Sequence, residues 1–291
     1  MRVGVGFCAL SGAALDGALG ALQLSEQVLA CRIILAATAK SLFVGDRNFG
    51  VFRVAQAARQ AGQDVWLRMT DRRARKLLGR ALGAGDQAVT WTPTRHDQLQ
   101  PECRSKPLAR RRLIVRLQRK GFPTQRLCWF TTLPDTADYP LQELVRLDGL
   151  RWHIELNWRD LKAQMNRVQL AAKSADLARK EWLAGRLADN LIRAAQLCAA
   201  LQQGCSPLTL SCSAVRRRLE DWLRQFGRTR RQACARWAKT LRQMGRCRLP
   251  RRRKARPNEP RAQRHLRLPY APLYGSRANA RRHLEKDASK S

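Results

Sequence analysis

Residues 41–52 read SLFVGDRNFGVF. Leu42, Phe43 and Val44 form a short apolar run that Gly45 and Asp46 close. A strand buried on both faces has this look, because a parallel sheet covered by helices leaves no polar face to alternate with. Upstream, Ser25 is placed to cap a helix and Glu26 falls in its favourable first turn. Val28, Leu29, Ile33 and Ala36 then define one helical face as far as about Lys40. Downstream, Val51, Val54, Ala55 and Ala58 share the face of a second helix, with Gly62 as its stop. DVWLRM (64–69) reads as the next strand. Residues 24–69 therefore predict helix, strand, helix, strand, an α/β unit with a parallel sheet. VGVGFCA (3–9) reads as a further strand, and the Gly/Ala-rich 12–22 has no clear period.

Residues 70–139 change character. A basic cluster, Arg72, Arg73, Arg75, Lys76 and Arg80, precedes β-like stretches at 88–92, 112–118 and 127–132. This predicts a β-rich insertion. From Pro140 the pattern is helical: one helix over about 141–166, a second over about 175–203 and a third over 213–226. The second is expected to turn Leu183, Leu187, Leu191 and Ala194 to the core and to stop at Gly204. Four segments follow: 1–69, the 70–139 insertion, the helical 140–226, and a basic tail over 227–291, whose RRRKARPNEP (251–260) reads as flexible.

Charge narrows the partner. The 57 Lys and Arg against 22 Asp and Glu give +35 and a pI near 11.5. Residues 228–291 alone hold 21 Lys and Arg against 3 Asp and Glu, which is +18 of that excess. A chain this basic repels itself until it meets a polyanion, and nucleic acid is the leading one. No apolar run reaches the ~18 residues of a membrane span. Nine cysteines without CxxC spacing and four scattered histidines (96, 153, 265, 283) disfavour a zinc finger. Free thiols in a cytoplasmic protein are expected, with no small-molecule cofactor.

Two elements carry chemistry. In VRLDGLRWHIELNWRDLKAQMN (145–166), Arg151, Glu155 and Lys162 fall at i, i+4 and i+11. On an ideal helix the second lies about 40° and the third about 20° round from the first. Arg159 joins them, making one carboxylate among three cations. A solvated salt-bridge face has the same pattern. Asp46 stands at the carboxyl end of a buried strand, where α/β folds place ligands, although turns also favour Asp there.

Together DRNFG (46–50) and LRWHIELNWRDLK (150–162) resemble the DDE transposases of insertion-sequence family four. The second acid of that family lies in a D-R-G/N-F motif, and its third in Y-x2-R-x3-E-x6-K. TTLPDTADYPLQEL (131–144), KSADLARKEW (173–182), LADNLIR (187–193) and APLYGSRANARRHL (271–284) are similar as well. Asp148 occupies the motif's Tyr position, where a carboxylate cannot donate to phosphate.

The resemblance implies a ribonuclease-H-like catalytic core with a β-rich insertion and a helical, basic C-terminal part. It implies Mg²⁺ (or Mn²⁺) on carboxylates, with Asp46 and Glu155 as catalytic metal ligands, and cleavage and strand transfer at the ends of an insertion sequence. Arg151 and Lys162 would neutralise phosphate beside the cleaved bond. Arg47, Arg159, Arg72, Arg73, Arg75 and Lys76 would hold double-stranded DNA without reading it. A homodimer on DNA, in the bacterial nucleoid, is expected. The family's first catalytic Asp lies on a central strand upstream of residue 3, so the core is expected to lack that strand and to bare a sheet edge. An inactive DNA-binding remnant or inhibitor is one alternative, and an unrelated nucleic-acid-coating protein is another. Trp91 and Trp129 are expected to be core residues before stacking platforms.

Overall fold

A computed structural model describes residues 1–100, 103, 107–119, 122–134, 137–164, 172, 174–225 and 230–249. Their order is β1 (Arg2–Phe7), β2 (Ala14–Gly20), α1 (Glu26–Ala36), β3 (Leu42–Gly45), α2 (Phe52–Gln60), β4 (Asp64–Arg68), α3 (Asp71–Arg75), β5 (Gly79–Gly83), β6 (Asp86–Trp91) and α4 (Arg95–Gln98). Then follow β7 (Leu108–Arg119), β8 (Phe122–Thr131), α5 (Leu141–Leu150), α6 (His153–Gln164), α7 (Ala175–Gln202), α8 (Cys212–Arg224) and α9 (Arg230–Gly245). The string 271–284 and the 251–260 run lie outside the described residues.

The fold is mixed α/β. Six strands form one sheet in the order β3-β4-β8-β7-β6-β5. β3 and β4 are parallel, as the helix-strand alternation predicts, and the other pairings are antiparallel. The strands of 70–139 thus continue the sheet that β3 and β4 begin. β5 was not anticipated: RALG (80–83) has no apolar alternation, and its strand is fully exposed. β1 and β2 make a separate antiparallel pair. Among the described residues β1 pairs only with β2, and β3 only with β4.

Period-two patterning divides the core by sheet face. Val65, Leu67, Cys128 and Phe130 pack with α2 residues Phe52, Val54, Ala55 and Ala58. Their strand neighbours Trp66 and Trp129 face the other way, against Leu144 of α5. These two indoles stack with centroids 5.2 Å apart. Trp129 and Trp91 are both buried core residues. Ser25 caps α1 by accepting from the Val28 backbone N–H. The helix reaches both sheets: Leu29 and Ile33 pack with Ala18 of β2 and with Phe43 of β3.

Three helical expectations change. The single helix over 141–166 is broken at Arg151–Trp152 into α5 and α6. At the joint the bonds tighten to Arg151 N–H to Asp148 O at 3.2 Å and Ile154 N–H to Arg151 O at 3.0 Å. The preceding Gly149 is a poor helix former. Leu183, Leu187, Leu191 and Ala194 are exposed, and α7 instead buries Trp182, Ile192, Ala195, Ala199 and Ala200. Both faces are apolar, so periodicity alone did not choose between them. Residues 230–245, read as the start of a tail, form α9, which buries Leu241 and Met244 against α7 and α8. None of the nine cysteines forms a disulfide.

Candidate active site

Asp46 follows the last residue of β3 and is half-buried. Its carboxylate Oδ1 accepts the Asn48 N–H at 2.8 Å, and its carbonyl accepts from Phe49 and Gly50 at 3.1 and 3.2 Å. An Asp side chain bonding two residues ahead is a turn-forming device, which is the plain reading of Asp46. Three elements hold this turn. From α1, Glu26 accepts from the Asn48 amide at 2.7 Å, and Gln27 donates to the Asn48 carbonyl at 2.9 Å. From α3, Arg73 donates to the carbonyls of Arg47 at 2.8 Å and Gly50 at 3.2 Å. β4 lies so close to Gly50 that no side chain fits there. Arg73, read as a DNA contact, is thus also a brace for the Asp46 turn.

Glu155 is exposed in the first turn of α6. Leu161 and Asn157 bury the inner side of that helix. Trp158 meets Phe7 of β1 and Trp182 of α7 edge-on, at 6.1 and 6.4 Å. The two acids are joined through packed elements. Asn48 ties the Asp46 turn to α1, Leu29 and Ile33 of α1 lie against Gly4 and Gly6 of β1, and Phe7 of β1 meets α6.

Arg151 does not belong to the helix that carries Glu155. It lies in the joint between α5 and α6, with Nε 3.7 Å from Asp148 and its guanidinium over the Trp152 ring at 5.2 Å. Asp148 is buried and accepts from the Trp129 indole at 3.2 Å. Its charge is therefore turned inward, toward Arg151 and the sheet. Lys162 stands with its ammonium 5.1 Å over the Trp158 ring. Arg47, Arg159, Arg72, Arg75 and Lys76 are exposed.

A cleft of about 610 Å³ adjoins the Asp46 turn and shares Gln27 and Arg73 with it. Arg53, Arg72, Lys76 and His96 also line it, against one acid, Asp97. Arg53 and His96 were missed by sequence reading, because they stand far along the chain from the 72–76 cluster and have no motif of their own. The arrangement suits a polyanion: basic side chains outnumber the single acid in a cleft beside the Asp46 turn. Among the described residues, no group of three His, Cys, Asp or Glu side chains is arranged to hold a metal ion.

The class is settled by comparison with known proteins. The family model for the transposase DDE domain matches residues 21–191, more than half of the chain and a span that includes both Asp46 and Glu155. The chain belongs to that family. Among curated proteins, it is 29% identical over 184 residues to the transposase InsG for insertion sequence element IS4 of Escherichia coli (strain K12). That match covers 60% of this chain and 39% of the relative, so the chain spans about two-fifths of the relative's length. No helix among the described residues is long and apolar enough to cross a membrane.

Proposed function

We propose that this chain carries the ribonuclease-H-like catalytic core of an insertion-sequence transposase, which cleaves DNA at the element's ends and joins it to target DNA. The observation that carries this reading is the Asp46 turn: a carboxylate at the carboxyl end of the partly buried edge strand β3, clamped by α1, β4 and α3, beside a basic cleft inside the family match. Asp46 and Glu155 are hard oxygen donors suited to Mg²⁺ or Mn²⁺. They are two of the three carboxylates that such a site uses, so the donor set fits only in part and no catalytic step is assigned to a metal. The chain's own residues act by binding and orienting DNA. Arg72 and Lys76 gather phosphates at the cleft, with Arg75, Arg47, Arg159 and Lys162 in support, and Arg73 keeps Asp46 in place. Arg151 acts on phosphate only if it leaves Asp148.

A second reading is a DNA-binding remnant or inhibitor without cleavage. It is supported by the division of the strands into two sheets beneath α1, with β1 and β3 each lacking a second partner among the described residues. Strand cleavage and joining on duplexes carrying the element's ends, with Mg²⁺ or Mn²⁺, separates the two. The catalytic reading expects metal-dependent products that Glu155→Gln abolishes. Salt-sensitive binding with no product would establish the remnant.

A further inference from the structure

Strands β7 and β8 run past the sheet that holds them. β6 pairs with β7 only as far as Leu113, and the Ile114 N–H ends that edge on the Gly85 carbonyl at 2.7 Å. β4 pairs with β8 only as far as Trp129, and the Met69 N–H ends that edge on the Cys128 carbonyl at 2.8 Å. Ile114 and Cys128 are partners in register, so both flanks stop at one rung. Beyond it, among the described residues, the two strands pair only with each other, through Val115–Leu127, Arg116–Arg126 and Leu117–Gln125 to Arg119–Phe122. At about 3.3 Å per residue this ribbon projects roughly 13 Å. Its sequence, RLQRKGFPTQR (116–126), holds four cations and no acid. Arg116 and Arg126 stand directly opposite each other and are both exposed, and neither has an ion-pair or hydrogen-bond partner among the described residues. Like charges directly opposed weaken a sheet, and a two-stranded ribbon has little stability to spare. A counter-charge from outside the chain removes that cost.

Period two fixes the face on which the pair stands. Arg112, Ile114 and Arg116 share one face of β7, and Cys128 and Arg126 continue it on β8. Ile114 and Cys128 pack in the core that also contains Ala74 and Leu77. Arg112 donates to the Ala74 carbonyl at 2.6 Å, which fixes α3 to the base of the ribbon. Burial pushes the Cys128 thiol up to about 11, while Arg112 and Arg126 pull it down and Asp71 of α3 adds to the rise, so the charges of α3 and of the ribbon meet there. Phe52, Leu77 and Trp91 of the same core line the basic cleft with Arg72 and Lys76. Cleft and ribbon therefore present one continuous basic face. We propose that the ribbon is a second contact arm for duplex DNA, laid along the phosphate backbone next to the stretch held at the cleft, with Arg116 and Arg126 as its paired grips. The inference rests on the DNA-binding reading above and extends its footprint by about 13 Å, or roughly four base-pair steps. The two arginines touch phosphate without reading bases. The charge of the duplex relieves their mutual repulsion, so the pair favours the bound state.

Binding of the full chain to a synthetic duplex of arbitrary sequence, over a salt series, tests it. Arg116→Gln/Arg126→Gln is expected to lower the slope of log affinity against log salt by about 1.8, two phosphates at about 0.9 each, without loss of thermal stability. Arg116→Glu alone should move two readouts in opposite directions. DNA binding weakens, and thermal stability rises, because the opposed pair becomes one of unlike charge. An arginine with a purely structural role would lose stability when replaced. Arg72→Ala/Lys76→Ala, in the cleft, separates this inference from the reading it rests on. If the cleft changes weaken binding and the ribbon changes leave the wild-type slope, the arm is overturned and the cleft reading stands. A ribbon variant that keeps the wild-type slope but self-associates would assign the arginines to guarding the open strand edges, and would overturn the arm as well. A wild type without affinity for duplex DNA would sink both.

Discussion

A Cβ atom added to Gly50 would stand 2.2 Å from the backbone carbonyl oxygen of Arg68. The turn bearing Asp46 thus lies directly on the end of β4. This explains the glycine in DRNFG by close approach, without a positive backbone angle. Gly50→Ala must push the turn off β4 or move the strand. We expect a loss of about 1–3 kcal/mol, typical of overpacking, together with a displaced Asp46. Urea unfolding is the measurement, and a variant as stable as wild type would mean that the turn is free to shift.

Arg111 and Asp86 form a buried ion pair across β7 and β6, 2.6 Å between Nη2 and Oδ2. Removing one partner strands a charge in the core. Asp86→Ala should cost about 3–5 kcal/mol, whereas replacing both by apolar side chains should cost much less than the sum of the single changes. Additive losses in a double-variant cycle would show that the pair is not coupled.

Asp189 is fully buried on α7, and burial pushes its carboxyl up to about 6, with nearby Arg193 pulling it down and Asp160 adding to the rise. Its folded pKa lies above the ordinary value of 3.8, so the folded protein binds the extra proton between these values. Stability must then fall as pH rises from about 4 to 6, by at most about 1.4 kcal/mol per pH unit for one proton. Asp189→Asn should flatten that slope and gain most, relative to wild type, above pH 6. Denaturation midpoints measured across this range check it, and an unchanged slope in the variant would assign the effect elsewhere.

DNA affinity should report which cations touch phosphate. Arg72→Ala and Lys76→Ala are each expected to reduce the slope of log affinity against log salt by about 0.9, with stability unchanged. Arg73→Ala should lower thermal stability as well, because its guanidinium holds the carbonyls of Arg47 and Gly50. Filter binding over a salt series distinguishes the two kinds of residue.

Local signals had local causes, and these were legible. SLFVG reads as a strand, and β3 pairs in parallel with β4 as helix-strand alternation requires, but it stands at the sheet edge and is only partly buried rather than covered on both faces. Ser25 caps α1, Gly62 and Gly204 end helices with positive φ, and the basic composition already pointed to a polyanion. Tertiary packing decided the rest. Two apolar faces of α7 compete, and only contact with α8 and α9 selects Ile192 and Ala195 over Leu187 and Leu191. Asp148 stands at the motif's Tyr position, and only tertiary packing brings it under the Trp129 indole, 19 residues earlier in the chain. The helix over 141–166 breaks at Arg151, which pairs with Asp148 and lies outside the helix of Glu155. Arg53 and His96 meet the Arg72 cluster only because the sheet folds them into one cleft. Spacing along a chain determines which residues share an element; which face that element buries depends on neighbours that the spacing does not contain.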